Sequence, residues 1–450
     1  LSSAIGSILG APRILQALAR DEILPGWMAF LGKGSGRRDE PRIGTAVTLG
    51  VVVLAVSVGD LNLIAPVLTM FFLTTYLVLN VSAGIEGFLK SPSFRPLFEV
   101  HWSLSSLGAV GCLAVMFLIN PVATVVAGII VGIIFLWIQR RELQSTWGDA
   151  RRGVWMMLLR TSLFQLGHNP DTKNWRPNML VLSGAPMRRW GLIELADALN
   201  HNRGLFTVTS ILPAGSRSLV QQEEMEVKIS RYLRERGIQA LVRVLTAPDP
   251  FEGAQRLVEI YGLGPLVPDT ILLGDSETPD HGDRYCDLIT HLHQAERNIL
   301  IFRDNAEQHI TQHRQIDVWW GGLHSNGSLM LIIAELLRDG IHWRHAQIHL
   351  KLVVQDEQAK ESAKSNLDTL TKDLRINART HVIGANGRSF DEVLHDSSRH
   401  SDMVILGIAK PTDTFREYYQ RVQKRISMLP STILVLAAPN FAFTEVLRTE

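Results

Sequence analysis

The chain has 450 residues, with 45 Lys+Arg against 44 Asp+Glu and a net charge of +1, a length for two or three domains and a balance that argues against nucleic acid as a partner. Two cysteines, Cys112 and Cys286, exclude a disulfide framework and all but exclude a cysteine-built metal site. The 46% hydrophobic content averages two unlike parts, because the first 139 residues are far more apolar than the rest.

In chain order, Leu1 to Leu18 is an apolar run without the basic n-region or cleavage motif of a signal peptide. It reads as the truncated end of a membrane span, interrupted by Gly10-Ala11-Pro12, in a chain whose N-terminal part is missing. Uncharged stretches follow at Ile43 to Gly59 (17 residues), Leu61 to Ile85 (25) and Trp102 to Gln139 (38). A helix needs about 20 residues to cross a bilayer, so the first two predict one span each. The third is too long for one span and breaks at Asn120-Pro121, which predicts a hairpin of two helices. Basic residues fall in alternate loops: Arg13, Arg20, Lys33, Arg37, Arg38 and Arg42, then Lys90 and Arg95, then Arg140, Arg141, Arg151 and Arg152. Four complete crossings that start and finish in the cytoplasm are predicted, with everything after residue 140 cytosolic.

Trp147 to Leu166 has a charged start and an apolar remainder. It predicts a connecting helix that either packs on the membrane part or a partner, or turns Arg151, Arg152 and Arg160 towards lipid head groups. Beyond it, short β-type runs alternate with polar helical segments: Met179 to Leu182, Phe206 to Leu212, Ala240 to Leu245, Thr270 to Leu273 and Asn298 to Phe302. A second series runs Gln315 to Trp320, Gln347 to Val354, Thr380 to Ile383, Met403 to Leu406 and Thr432 to Ala437. This alternation predicts a parallel α/β sheet with helices on both faces, in two similar halves joined through Arg303 to Arg314. The expected domains are 1–139 in the membrane, 140–169 connecting, and α/β halves at 170–302 and 303–450.

Strand-end glycines at Ser183-Gly184-Ala185-Pro186 and Leu273-Gly274-Asp275-Ser276 could admit a phosphate, but no GxGxxG or GxxxxGK[ST] cradle surrounds either, and structural turns are the favoured reading. His309 and His313 are spaced i, i+4, and His281 sits among Asp280, Asp283 and Asp287. Solvated polar surface is favoured over a metal site there. No nucleophile motif supports an enzyme, and no cofactor is expected.

Several stretches together resemble the cation-chloride cotransporters, of the Na-K-Cl and K-Cl types: SSAIGSILGAPRILQALARDEILPGW, LGKGSGRRDEP, LNLIAPVLTMFFLTTYLVLNVSAGIEGFLKSPSFRP, WRPNMLVLSGAP, IDVWW and LVLAAPNF. The resemblance implies the end of a twelve-helix transporter of the LeuT or amino acid permease type, from the eighth helix to the twelfth. A cytosolic domain of two universal-stress-protein-like halves would follow and form a homodimer with the help of the connecting helix. Secondary symport of chloride with Na+ and/or K+ is implied for the whole transporter in the cell membrane, with lipid and inorganic ions as partners and the isolated chain not competent for transport. Ser2 and Ser3 match the serine pair of a sodium site, where hydroxyl oxygens suit a hard cation. The following GAPRILQA is closer to the potassium-chloride branch, so both branches stay open. Tyr76, deep in its uncharged run, matches the tyrosine of FFLxxYxxxN that donates to chloride, and Asn80 reads as a helix-packing residue. The alternatives are an amino-acid permease of the same superfamily and a membrane-anchored nucleotide sensor.

Overall fold

The computed structural model describes residues 2–21, 23–36, 39–58, 61–89, 98, 100–140, 150–168, 175–215, 218–276, 281–305, 313–321, 326–356 and 358–439. Two compact units emerge, Leu1–Ser162 and Leu163–Glu450.

The first unit is helical. Helix α1 (Ser2–Arg20) leads through a 3-10 segment (Gly26–Gly32) into α2 (Arg42–Val58). Helices α3 (Leu61–Leu89), α4 (Trp102–Ile119), α5 (Pro121–Arg140) and α6 (Ala150–His168) follow. The expected interruption of the first run is absent: α1 is one helix with Pro12 inside it. Gly44 of α2 lies close against this turn, since a Cβ there would stand 3.2 Å from the Pro12 carbonyl oxygen.

The break at Asn120-Pro121 is where α4 ends and α5 begins, with Asn120 Oδ1 accepting from Ala123 N at 3.0 Å. Proline at the first position of α5 costs nothing there, because that N–H lacks an intrahelical partner in any case. Against the four expected crossings, two helices among the described residues are long and apolar enough to cross a membrane, Ile64–Leu89 and Trp102–Ile119. Arg42–Ser57 and Pro121–Trp137 are apolar but shorter. The 17 residues of α2 span about 25 Å against a hydrocarbon core of about 30 Å. Val51, Leu54, Phe71, Phe72, Leu118 and Ile133 all face outward, the reverse of a water-soluble core.

The second unit is a ten-stranded sheet in the order β3-β2-β1-β4-β5-β10-β9-β6-β7-β8. Its strands are β1 (Met179–Leu182), β2 (Phe206–Pro213), β3 (Leu241–Ala247), β4 (Thr270–Gly274) and β5 (Asn298–Arg303). The second five are β6 (Gln315–Trp319), β7 (Gln347–Val354), β8 (Ala378–Gly384), β9 (Met403–Gly407) and β10 (Thr432–Leu436). All ten expected strands are present, with ends shifted by at most two residues. Each set of five has the same internal order, with its third, second, first, fourth and fifth strands side by side. The halves meet where β5 and β10 pair antiparallel, Leu300 opposite Val435, while every other pairing is parallel. Two similar halves thus share one continuous sheet, and no strand edge is left at the junction.

Helices α7 (Trp190–Asn200), α8 (Leu219–Glu235), α11 (Asn326–Arg338) and α12 (Gln358–Asp373) cover one face. Helices α9 (Pro250–Ile260), α10 (Gly282–Gln294), α13 (Phe390–Ser398) and α14 (Phe415–Ile426) cover the other. The central strands are therefore buried on both sides, which is why Ile299, Leu300, Ile301, Ile433, Leu434, Val435 and Leu436 are consecutive apolar residues.

One polar cluster interrupts this core. Asp317 on β6 is fully buried and bonded to Lys351 Nζ at 2.6 Å, Ser398 Oγ at 2.7 Å and Gln315 Nε2 at 2.9 Å. Beside it, His349 on β7 and His381 on β8 stack with ring centroids 4.8 Å apart. Burial lowers the pKa of both; the positive charges of Lys351 and Arg379 add to that for each, while Asp317 opposes it. A histidine whose folded pKa is depressed costs stability as pH falls below its unfolded value near 6.5 and through the folded one. Amide protection in β7 and β8, corrected for intrinsic exchange, is therefore expected to fall between about pH 7.5 and pH 5.5. Joint His349→Gln and His381→Gln replacement should flatten that fall; an unchanged slope in the variant would remove the histidines as its cause.

Candidate functional site

The residues expected to bind ions lie in the helical unit. Ser2 and Ser3 form the first turn of α1, and their side chains are outside the described residues. Tyr76 lies in the second half of α3 and is 54% exposed. The two predicted sites fall on different helix pairs, since α1 packs on α2 whereas α3 packs along α4. The α3–α4 contact is built from small residues: Gly84 faces Ser105 and Ser106, Gly87 faces Trp102, and Gly108 faces Asn80. Phe88 meets Trp102 edge-on at 5.2 Å.

Asn80 donates from Nδ2 to the Tyr76 carbonyl at 2.9 Å, and a Cβ on Gly108 would stand 2.8 Å from its Oδ1. Asn80 is thus a packing residue, as its sequence position suggested. It also fixes the turn of α3 that carries Tyr76 against α4.

The sheet unit holds a second candidate. Between β1 and β4 the strand order reverses, and ligands of open α/β sheets sit in the crevice beyond the carboxyl ends at such a point. A cavity of about 270 Å³ occupies it. Its floor is made by the two strand ends singled out in the sequence, where Gly184 takes φ +64 and Gly274 faces Arg189. A Cβ on Gly274 would stand 2.8 Å from Arg189 Nη1, so glycine lets the guanidinium lie across the strand end. Apolar walls come from Ile211, Phe251, Ala254 and Leu288.

The rim carries Asp275, whose Oδ1 accepts from Ser276 N at 2.9 Å, from Tyr419 Oη at 2.9 Å and from Gln423 Nε2 at 3.2 Å. Tyr285 Oη donates to the Gly274 carbonyl at 2.9 Å. Burial holds the pKa of both Tyr285 and Tyr419 well above the ordinary phenol value, so both are donors at neutral pH. The sequence marked the glycines but missed Arg189 and Tyr419. Arg189 lies five residues past Gly184 in a loop, and Tyr419 comes from the other half of the chain.

The acidic group around His281 has a different role. Asp283 and Asp287 pair with Arg416 at 3.6 and 2.8 Å, while Asp280 is outside the described residues. His309 is also outside them, and His313 stacks edge-on with Trp343 at 4.6 Å. Among the described residues, no group of three or more His, Cys, Asp or Glu is placed to hold a metal.

Residues 1–181 match the family model described as amino acid permease, and residues 189–307 match that of solute carrier family 12. Among solved structures, the chain is similar to the cytoplasmic domain of a prokaryotic cation chloride cotransporter, with 18% identity over 61% of this chain and 99% of that chain and a TM-score of 0.46. It is also similar to a universal stress protein from Archaeoglobus fulgidus, with 11% identity over 59% of this chain and 98% of that chain and a TM-score of 0.42. Both matched families are families of membrane transporters and not of enzymes. The helices together with the first strand thus match the amino acid permease family, and the first half of the sheet matches solute carrier family 12, the family of cation-chloride cotransporters that the sequence motifs resemble.

Proposed function

We propose that the protein serves secondary active symport of chloride with Na+ and/or K+ by alternating access, in a twelve-helix transporter whose cytosolic sheet unit dimerises and regulates. The observation that carries this reading is Tyr76, a neutral phenol within the uncharged run Leu61 to Ile85 of α3, held one turn from the Asn80–Gly108 contact. A neutral donor suits an anion in low dielectric, because it binds charge without adding a counter-charge that would have to be desolvated. Ser2 and Ser3 would supply hydroxyl oxygens to sodium. A homodimer is supported by α6, which exposes Trp155, Met156 and Phe164 at 70, 58 and 63%.

The test is rubidium uptake, as a potassium surrogate, by the full-length transporter in proteoliposomes, with chloride replaced by gluconate and sodium present or absent. Uptake is expected to require chloride, and Tyr76→Phe to weaken apparent chloride affinity by roughly 10-fold or more, the value of one hydrogen bond to a charge. Sodium dependence would assign Ser2 and Ser3. Uptake indifferent to chloride would overturn the reading and favour amino acid transport by the same fold, the function of the family matched by residues 1–181.

A second reading concerns the cavity at β1 and β4, which supports nucleotide sensing by the sheet unit. Apolar walls, glycine strand ends and Arg189 together suit a base and a phosphate. Saturable binding of ATP to the full-length protein is expected, and none at millimolar ATP would remove this reading.

A further inference from the structure

We propose that helix α14 is a latch that holds the cavity of the first half open to an anion and couples its occupancy to the second half. The inference rests on the nucleotide reading of that cavity and adds its regulation. The cavity rim carries opposite charges: Arg189 would attract a phosphate, and Asp275 on the facing strand end would repel it. What restrains Asp275 comes from the other half of the chain. Tyr419 and Gln423 of α14 both donate to its Oδ1, and Gln423 also bonds the Ser276 carbonyl at 3.3 Å.

The same helix is tied on both sides. Arg416 at its start grips Asp283 and Asp287 of α10, which borders the cavity. Arg425 near its end grips Asp391 of α13 in the second half and lies 5.2 Å over the Phe390 ring. Tyr419 is 2% exposed and packs 5.8 Å from Tyr285, whose hydroxyl holds the strand end at Gly274. A shift of α14 therefore moves the donors off Asp275, and its carboxylate then turns its charge on the cavity. Conversely, an anion seated by Arg189 favours the latched arrangement, because linkage is reciprocal.

The experiment uses the full-length protein with ATP alone as probe, measuring equilibrium affinity and hydrogen exchange over residues 415–426. Tyr419→Phe combined with Gln423→Leu is expected to weaken ATP binding roughly tenfold, a typical coupling. Adding Asp275→Asn to that variant should restore affinity to within about twofold, which damage to packing alone would not allow. Saturating ATP should slow exchange in α14 of the wild type and not in the unlatched variant. Wild-type affinity in the unlatched protein, or failure of Asp275→Asn to restore it, would overturn the latch while the cavity reading stands. Absence of ATP binding by the wild type would overturn both.

Discussion

Lys351→Met is expected to destabilise the sheet unit by about 3–5 kcal/mol, the range for removing one partner of a buried ion pair. Asp317 has no solvent exposure and Lys351 is 5% exposed, so no water can replace the lost ammonium. The remaining donors, Ser398 Oγ and Gln315 Nε2, are neutral. Ser398 is itself held by Trp319 Nε1 at 3.0 Å, and Lys351 also bonds the Ser397 carbonyl at 2.6 Å. The loss therefore loosens the end of α13 as well as two strands. The double replacement Asp317→Leu with Lys351→Met should recover much of the loss, since a packed apolar pair needs no charge compensation. Denaturant unfolding of the full-length protein in detergent, followed by tryptophan fluorescence, measures both. A loss under about 1 kcal/mol for the single variant, or a double variant less stable than the single, would contradict this account.

Asp269→Ala should cost about 2–4 kcal/mol by orphaning three donors. The Asp269 carboxylate accepts from Trp175 Nε1 at 2.8 Å, Asn178 N at 3.1 Å and Thr270 Oγ1 at 2.7 Å, and so fixes the chain entering β1. Burial pushes its pKa up to about 6, against the pull of these donors. A carboxyl held above its unfolded value gives stability that is complete below that value and is lost as pH rises through about 6. The gap between wild type and Asp269→Ala is therefore expected to be larger near pH 5 than near pH 7.5, by about 1 kcal/mol. Trp175 fluorescence should shift in the variant. A gap that is equal at both pH values would show that Asp269 titrates where an exposed aspartate does.

Much of the architecture was legible along the chain. Strands such as Asn298–Arg303 and Thr432–Leu436 are covered on both faces, so burial forces consecutive apolar residues that stand out between polar helices. The end of α4 at Asn120 was legible because Pro121 biases the residue before it away from the helical region and can itself open the next helix without losing a bond. The same rule did not hold at Pro12, through which α1 runs on without a break. The number of membrane crossings was less secure, since a lack of charge alone sets no minimum helix length.

By itself the sequence determined which segments are apolar helices, which are buried strands, and which family the motifs resemble, because burial, turn chemistry and motif residues are written locally. The tertiary structure alone decided what depends on residues far apart in the chain. The antiparallel joint of β5 to β10 brings Leu300 opposite Val435 although either strand could pair in either direction on composition. Asp317 meets Lys351 across β6 and β7, and Asp275 meets Tyr419 across 144 positions. Such pairs carry no periodic signal, because a hydrogen bond between distant elements is fixed by the register and crossing of those elements and by nothing in the residues between.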